Sequence, residues 1–182
     1  MHQGRAGAVT RSRGATGVRD VPRPLAVAVA LVLVALLAGC GIRIPADPDG
    51  ALDRVSGGVL RVGASPDSAL VSIEASGGQT ADERIGGAAA ELARGFADAL
   101  DARIDWTVGS EETLVGEMER GELDLIVGGM TGATPWADRV AVTREYPGIP
   151  GADGRAIVMF VPLGENRFLS ALERYLDEET SP

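Results

Sequence analysis

Apolar positions between residues 59 and 127 follow two spacings. VLRVGA (Val59–Ala64) and LDLIV (Leu123–Val127) are near-continuous apolar runs, as expected for strands buried on both faces. In RIDWTV (Arg103–Val108), Ile104, Trp106 and Val108 alternate, which predicts another strand with Trp106 turned into the core. Between these runs the spacing lengthens. Leu92, Phe96 and Leu100 recur every four residues and predict a helix over 87–101 with one buried stripe. Leu114, Val115 and Met118 predict a second helix, which Ser110 can cap and Gly121 ends, and Glu111 and Glu112 suit its positive amino end. Thr80 and Glu83 have capping-box spacing, although Gly86 and Gly87 argue against one continuous helix from there.

Beyond Val127 the pattern continues in shorter pieces. Thr134 and Pro135 read as the N-cap and first residue of a short helix. Val140–Thr143 is a weaker strand, 147–155 a Pro/Gly-rich turn, and AIVMFV (Ala156–Val161) another buried strand. Phe168, Leu169, Leu172 and Leu176 stripe a final helix. The β-α-β-α-β order with short connections predicts an α/β fold: a single lobe with a mostly parallel sheet of about five strands, flanked by helices. In such a sheet ligands sit beyond the carboxyl ends of the strands. There Gly128 and Gly129 remove side chains and Thr131 offers a hydroxyl.

The start of the chain is a different kind of sequence. Arg5, Arg11, Arg13, Arg19 and Arg23 precede an unbroken apolar run of 14 residues, Leu25–Ala38. That run is short of the roughly 20 residues of a membrane-spanning helix and has the make-up of a signal peptide. It ends in Leu37-Ala38-Gly39-Cys40, which resembles the bacterial lipobox, the signal whose cysteine becomes the lipid-bearing amino terminus. The competing reading is an uncleaved anchor helix, since the run reaches 18 residues if stretched to Ile42. Either reading places the globular part outside the cytoplasmic membrane, held to it by an anchor. The expected organisation is a lipoprotein signal peptide over 1–39, a tether over 40–57 containing Pro45, Pro48 and Gly50, and an α/β lobe over 58–178.

Charge and chemistry narrow the function. From Cys40 onward there are 12 arginines against 25 acidic residues, a net charge of −13, which disfavours nucleic acid as a partner. The single histidine, His2, lies in the leader, the single cysteine is Cys40, and there is no lysine. Ser-His-Asp and Cys-His catalysis therefore lack a base, structural zinc lacks its usual ligands, and a Schiff base lacks its amine. Carboxylate acid–base chemistry stays open, yet no acidic pair stands out. Glu111, Glu112, Glu117, Glu119 and Glu122 read as a solvated helix face. The expectation is a binding protein that is not an enzyme, with no cofactor and no metal.

Four segments then follow one another in a recognisable order: LRVGASPD from Leu60, AELARGFADAL from Ala90, IDWTVGSEETLVGEMERGELDLIVGGMT from Ile104, and DRVAVTREY from Asp138. Over about Leu60–Tyr146 the chain resembles bacterial extracellular solute-binding proteins of family 3, the amino-acid-type receptors of ABC importers. AIVMFVPLGENRFLSALERYL, Ala156–Leu176, looks like the segment that returns to the first lobe in that family. The resemblance implies one lobe of a periplasmic-binding-protein type 2 fold. It also implies a small solute such as an amino acid, and an ABC permease or a second lobe-like protein as partner.

The same resemblance implies where a solute would be held. Gly129 and Thr131 match the family's ligand turn. The arginine that the family places six residues past the methionine, to hold the ligand carboxylate, falls on Trp136. Arg139 is the nearest arginine and falls where the family has a basic surface residue. The second hydroxyl of the turn falls on Ala133. The acid after the first strand falls on Ser65, with Asp67 two residues on, and the aromatic wall falls on Ser68-Ala69-Leu70. Only nine residues, 147–155, stand where the family inserts a second lobe. The candidate ligand residues are thus Ser65, Asp67, Gly129, Thr131, Trp136 and Arg139. Each also has a structural reading: turn formation for Ser65, Asp67, Gly129 and Thr131, packing for Trp136, and pairing with surface acids for Arg139. Two functions follow. One is a membrane-tethered, extracytoplasmic solute-binding lipoprotein of an amino-acid-type ABC transporter. The other is a non-catalytic interaction or sensor module that keeps the scaffold without its ligand. An accessory domain of a cell-wall enzyme is a weaker third reading.

Overall fold

The computed structural model describes residues 47–74 and 80–180. The leader, the lipobox and Cys40 lie outside the described residues. Among the described residues no helix is long and apolar enough to cross a membrane.

The fold is α/β. A five-stranded sheet has the order β4-β1-β5-β7-β6, with β1 Val59–Ala64, β4 Arg103–Val108, β5 Leu125–Val127, β6 Ala141–Val142 and β7 Phe160–Val161. β4, β1 and β5 are parallel, and β7 pairs antiparallel with both β5 and β6. A short antiparallel pair, β2 (Ser72–Ile73) with β3 (Ile85–Gly86), forms a second, two-stranded sheet.

Helices cover both faces. On one face, Leu60, Val62 and Ala64 of β1 and Leu125 and Val127 of β5 meet α3 (Ala88–Ala99), α5 (Asn166–Thr180) and the one-turn α1 (Ala51–Val55). On the other, Ile126 and Phe160 meet Leu114, Val115 and Met118 of α4 (Glu111–Glu119), with Met130 and Val140. Burial on both faces is why β5 is apolar throughout and β1 is apolar but for Arg61. The Ser110 hydroxyl accepts the Thr113 N–H at 3.3 Å and caps α4 as expected. The Thr80–Glu83 capping box is also present, on the one-turn α2 (Ala81–Arg84).

Several expectations are corrected. The sheet-facing stripe of α3 is Ala89, Ala90, Ala93, Phe96 and Ala97, with Leu92 and Leu100 on its flank. Short alanines let the helix lie close to the strands, and Phe96 fills the remaining space against Phe168 (centroids 5.6 Å apart). Residues 134–140 form turns rather than a helix. The Thr134 hydroxyl accepts the N–H of Trp136 as an N-cap would, but the backbone makes only one turn, with the Arg139 and Val140 N–H groups both donating to Trp136 O, before β6 begins. The strand expected over Ala156–Val161 is regular only at Phe160–Val161. Before it, Ile157 makes lone bridges to Thr131 and Tyr146, and the Met159 N–H donates to the Thr143 hydroxyl.

Residues 40–46 of the expected tether lie outside the described residues. Residues 47–57 pack onto the lobe, with Ala51 and Val55 in the core. Glu165, itself buried, accepts the N–H groups of Asp49 (2.8 Å) and Ala51 (2.9 Å). Burial and the neighbouring Asp47 carboxyl push the Glu165 carboxyl upward, while the two N–H bonds pull it down.

One buried charge sets the register at the sheet centre. Asp124, just before β5, has a fully buried side chain. It accepts Arg61 N (3.0 Å), Arg61 Nε (2.9 Å), Arg61 Nη2 (2.6 Å) and Arg54 Nη2 (2.7 Å), while its own N–H donates to Arg61 O at 2.8 Å. Burial alone would raise this carboxyl, but the bonds from Arg61 and Arg54 outweigh it and hold it below the usual range. The stabilisation from this carboxylate is therefore present above its unfolded value and lost as pH falls through the depressed folded value. Asp124→Asn is expected to cost about 2–4 kcal/mol, because it leaves two guanidinium groups without their shared counter-charge. Urea unfolding at neutral pH measures this, and a midpoint equal to the wild type would refute it.

Candidate functional site

The register Val62↔Leu125, Gly63↔Ile126, Ala64↔Val127 places the residues after β1 beside those after β5. Ser65 N–H donates to Val127 O at 2.9 Å and so continues the pairing by one residue. Ser65 is buried, and a Cβ on Gly128 would lie 2.9 Å from both its Cβ and its carbonyl oxygen. Gly128 is thus glycine because the two strand ends touch.

Gly129 has a different neighbour. A Cβ there would lie 2.1 Å from Asp67 Oδ2 and 2.7 Å from Arg155 Nη1. Asp67 and Arg155 form a two-pronged ion pair: Nη1 donates to Oδ2 and Nη2 to Oδ1, each at 2.9 Å. Nη1 also donates to Gly129 O at 3.3 Å, and Arg155 Nε to Ala152 O at 3.1 Å. The bonds from the guanidinium hold the Asp67 carboxyl below its ordinary value, against the opposing effect of burial. This pair therefore survives acidification until pH falls through that depressed value.

Arg155 comes from the Pro/Gly-rich turn, which is tightly formed. Gly151, Asp153 and Gly154 all have positive φ (79°, 52° and 79°), while Ile149 and Ala152 are buried. A Cβ on Gly151 would lie 2.6 Å from Ala69 Cβ, so the turn packs on the loop after β1. Reading 147–155 as a connector missed Arg155. A signal was available: Arg155 is the one basic residue between Arg144 and Arg167.

The remaining candidates divide. Thr131 makes a lone antiparallel bridge to Ile157, two residues beyond Arg155. Trp136 and Arg139 lie along α4 instead. Trp136 packs against the Leu114–Met118 cluster, and its Nε1 donates to Glu111 Oε2 at 3.3 Å. Arg139 pairs with Glu119, its Nε at 2.8 Å, and its guanidinium carbon lies 5.2 Å from the centre of the Trp136 ring. The packing reading of Trp136 and the surface-pairing reading of Arg139 describe what these side chains do. Trp106 is a core residue whose Nε1 donates to Asp82 Oδ1 at 2.8 Å. Among the described residues no cluster of His, Cys, Asp or Glu could hold a metal ion.

No protein-family model matches the sequence, and no curated protein matches it. Solved structures do match the fold. A point mutant of domain 1 from TmArgBP, in its arginine-bound form, aligns with a TM-score of 0.59 at 22% identity, covering 72% of this chain and 99% of that one. A mutant of ArgBP from T. maritima aligns with a TM-score of 0.55 at 15% identity, covering 70% and 92%. The ancestral amino acid-binding protein AncCDT-1, described as a precursor of cyclohexadienyl dehydratase, aligns with a TM-score of 0.56 at 12% identity, covering 71% and 92%. These likenesses establish the α/β fold, and the proteins that share it are named as arginine- or amino-acid-binding proteins.

The two glycines should respond differently to alanine. Gly128→Ala drives a Cβ into the Ser65 backbone and is expected to destabilise by about 1–3 kcal/mol. Gly129→Ala meets the ends of flexible side chains, so it should separate Asp67 from Arg155 at a cost of under about 1 kcal/mol, the worth of a partly exposed pair. Equilibrium unfolding of the two variants checks this; equal losses would refute the assignment.

Proposed function

We propose that this chain is an extracytoplasmic solute-binding lipoprotein of the family 3 type, which takes a small amino-acid-type solute at the carboxyl edge of its sheet. The observation that carries the reading is the likeness over 99% of the length of a single domain solved with arginine bound. One lobe of this architecture is evidently enough to hold a solute in that protein. Ser65, Asp67, Gly129 and Thr131 would line the site here, with Arg155 added to them. Trp136 and Arg139 are left out, since both are engaged along α4.

Cys40 would carry the lipid and hold the lobe at the membrane surface, and an ABC permease or a second lobe-like protein would receive or enclose the solute. No catalysis is proposed, since His, Lys and a second Cys are missing from the chain beyond the leader. One structural observation favours the alternative, a non-catalytic interaction or sensor module. The Asp67 carboxylate already has a partner in Arg155, so it is neutralised without a ligand.

Thermal unfolding with a panel of amino acids distinguishes the two. Binding to the folded state stabilises by about 2.7 kcal/mol at a hundredfold excess over Kd. A solute held at the proposed site should raise Tm at millimolar concentration and lose that effect in Thr131→Val. A flat response to the whole panel favours the interaction module. Mass spectrometry of the mature amino terminus tests the anchor: lipid is expected on Cys40, and a Cys40→Ser protein that is still processed and membrane-held would refute it.

A further inference from the structure

We infer that Glu165 keeps a proton which it donates to the buried Asp47 Oδ1, and that loss of this proton to solvent unlatches residues 47–50 from the lobe. The latch stands apart from solute binding. Only its bearing on the anchor rests on the proposed lipidation of Cys40.

Two carboxyl groups meet at one short stretch of backbone. Glu165 accepts the N–H groups of Asp49 and Ala51 at 2.8 and 2.9 Å. Asp47 Oδ2 accepts the N–H of Leu52 at 3.4 Å. Both groups are shut off from water: Glu165 is 1% exposed and the Asp47 side chain 4%. Asp47 Oδ1 is buried and has no hydrogen-bond partner among the described residues. A carboxylate oxygen in that state pays the full cost of desolvation, and a second charged carboxylate beside it adds repulsion. One proton removes both effects. A protonated Glu165 has an O–H to give to Asp47 Oδ1 and keeps lone pairs for its two N–H groups. Burial and the neighbouring Asp47 carboxyl raise the Glu165 carboxyl in the same sense.

The surrounding charges do not replace the proton. Arg167 faces the pair from α5, but its Nη1 lies 3.8 Å from Asp47 Oδ2, and Asp53 on α1 holds its guanidinium at 2.8 and 2.9 Å. Arg54 and Arg61 line the cavity beside Glu165, and both are bound to Asp124. Farther round that cavity Arg120 is paired with Glu122 and Arg139 with Glu119, while Asp49 and Asp138 add negative charge.

The pH dependence has the opposite sign to that of Asp124. A carboxyl raised on folding contributes stability that is present below its unfolded value and lost as pH rises through the raised folded value. Above that value two buried carboxylates face each other, and the segment that carries one of them lets go. Ala51 and Val55 hold the following turn in the core, so the opening ends at Gly50. With lipid on Cys40, the link between anchor and lobe then grows from residues 41–46 to residues 41–50.

The test is carboxyl 13C NMR and amide hydrogen exchange on the full chain, from about pH 4 to about pH 8. The Glu165 carboxyl should titrate above the ordinary range for Glu. Through the same titration the protection factors of the Asp49 and Ala51 amides should fall about tenfold or more, while that of Ser65, in the sheet, stays level. Asp47→Asn puts an N–H where the proton was. It should bring the Glu165 titration down to or below the ordinary range and hold both protection factors within about twofold. Glu165→Gln, whose side chain carries its own N–H, should likewise remove the pH dependence. A wild-type Glu165 that titrates in the ordinary range, level protection in the wild type, or protection that still falls with pH in Asp47→Asn overturns the inference. No readout depends on lipid or solute. If the latch titrates as described and Cys40 bears no lipid, the latch stands and the anchor reading fails. If Cys40 is lipidated and the latch does not titrate, the anchor stands and this inference is refuted.

Discussion

A carboxylate buried at one edge of the sheet determines what meets at the other. Asp124 is fully enclosed, and a charge there is tolerable only with several donors arranged around it. Arg61 supplies three, from its backbone and its guanidinium, and Arg54 a fourth. Because Arg61 lies on β1 and Asp124 leads into β5, satisfying the charge fixes how the two strands align. A slip of one residue would turn every side chain of β5 to the opposite face and strip Asp124 of its partners. With the register held, Ser65 falls beside Gly128, and Gly129 falls under Asp67 and Arg155.

The same logic explains the glycine pair. Both glycines sit where a binding turn would have them, and both are required for contacts internal to the chain. Gly128 makes room for the Ser65 backbone, and Gly129 for an ion pair. The place is already filled by the chain's own groups, with the Asp67 carboxylate paired to Arg155. The turn that carries Arg155 packs through buried Ile149 and Ala152. It covers the loop after β1, with Gly151 against Ala69.

Much of the fold was legible in the residues. The three parallel strands, the cap and inner face of α4, and the buried stripe of α5 follow from period and capping, which are local properties. Errors arose where a local pattern had two solutions. The four-residue spacing of Leu92, Phe96 and Leu100 was real, yet the alanines between them faced the sheet because close helix–strand approach favours small side chains. Thr134-Pro135 had the composition of a helix start and makes the capping bond, yet the chain completes only one turn before it enters β6. Pro45, Pro48 and Gly50 suggested a tether, while Glu165, over a hundred residues away, holds residues 49–51 against the lobe.

By itself the sequence determined the α/β alternation, a chain with no Lys and no His after His2, and the sheet edge at which a ligand would be sought. Those depend on residue type and spacing along the chain. Only the tertiary structure decided which groups meet at that edge. Asp67 and Arg155 are 88 residues apart, and Arg54 and Asp124 are 70 apart. No periodicity links such positions. Their pairing depends on strand register and on the path of a turn with three left-handed residues, so charge complementarity could be satisfied only after the backbone had brought the partners within reach.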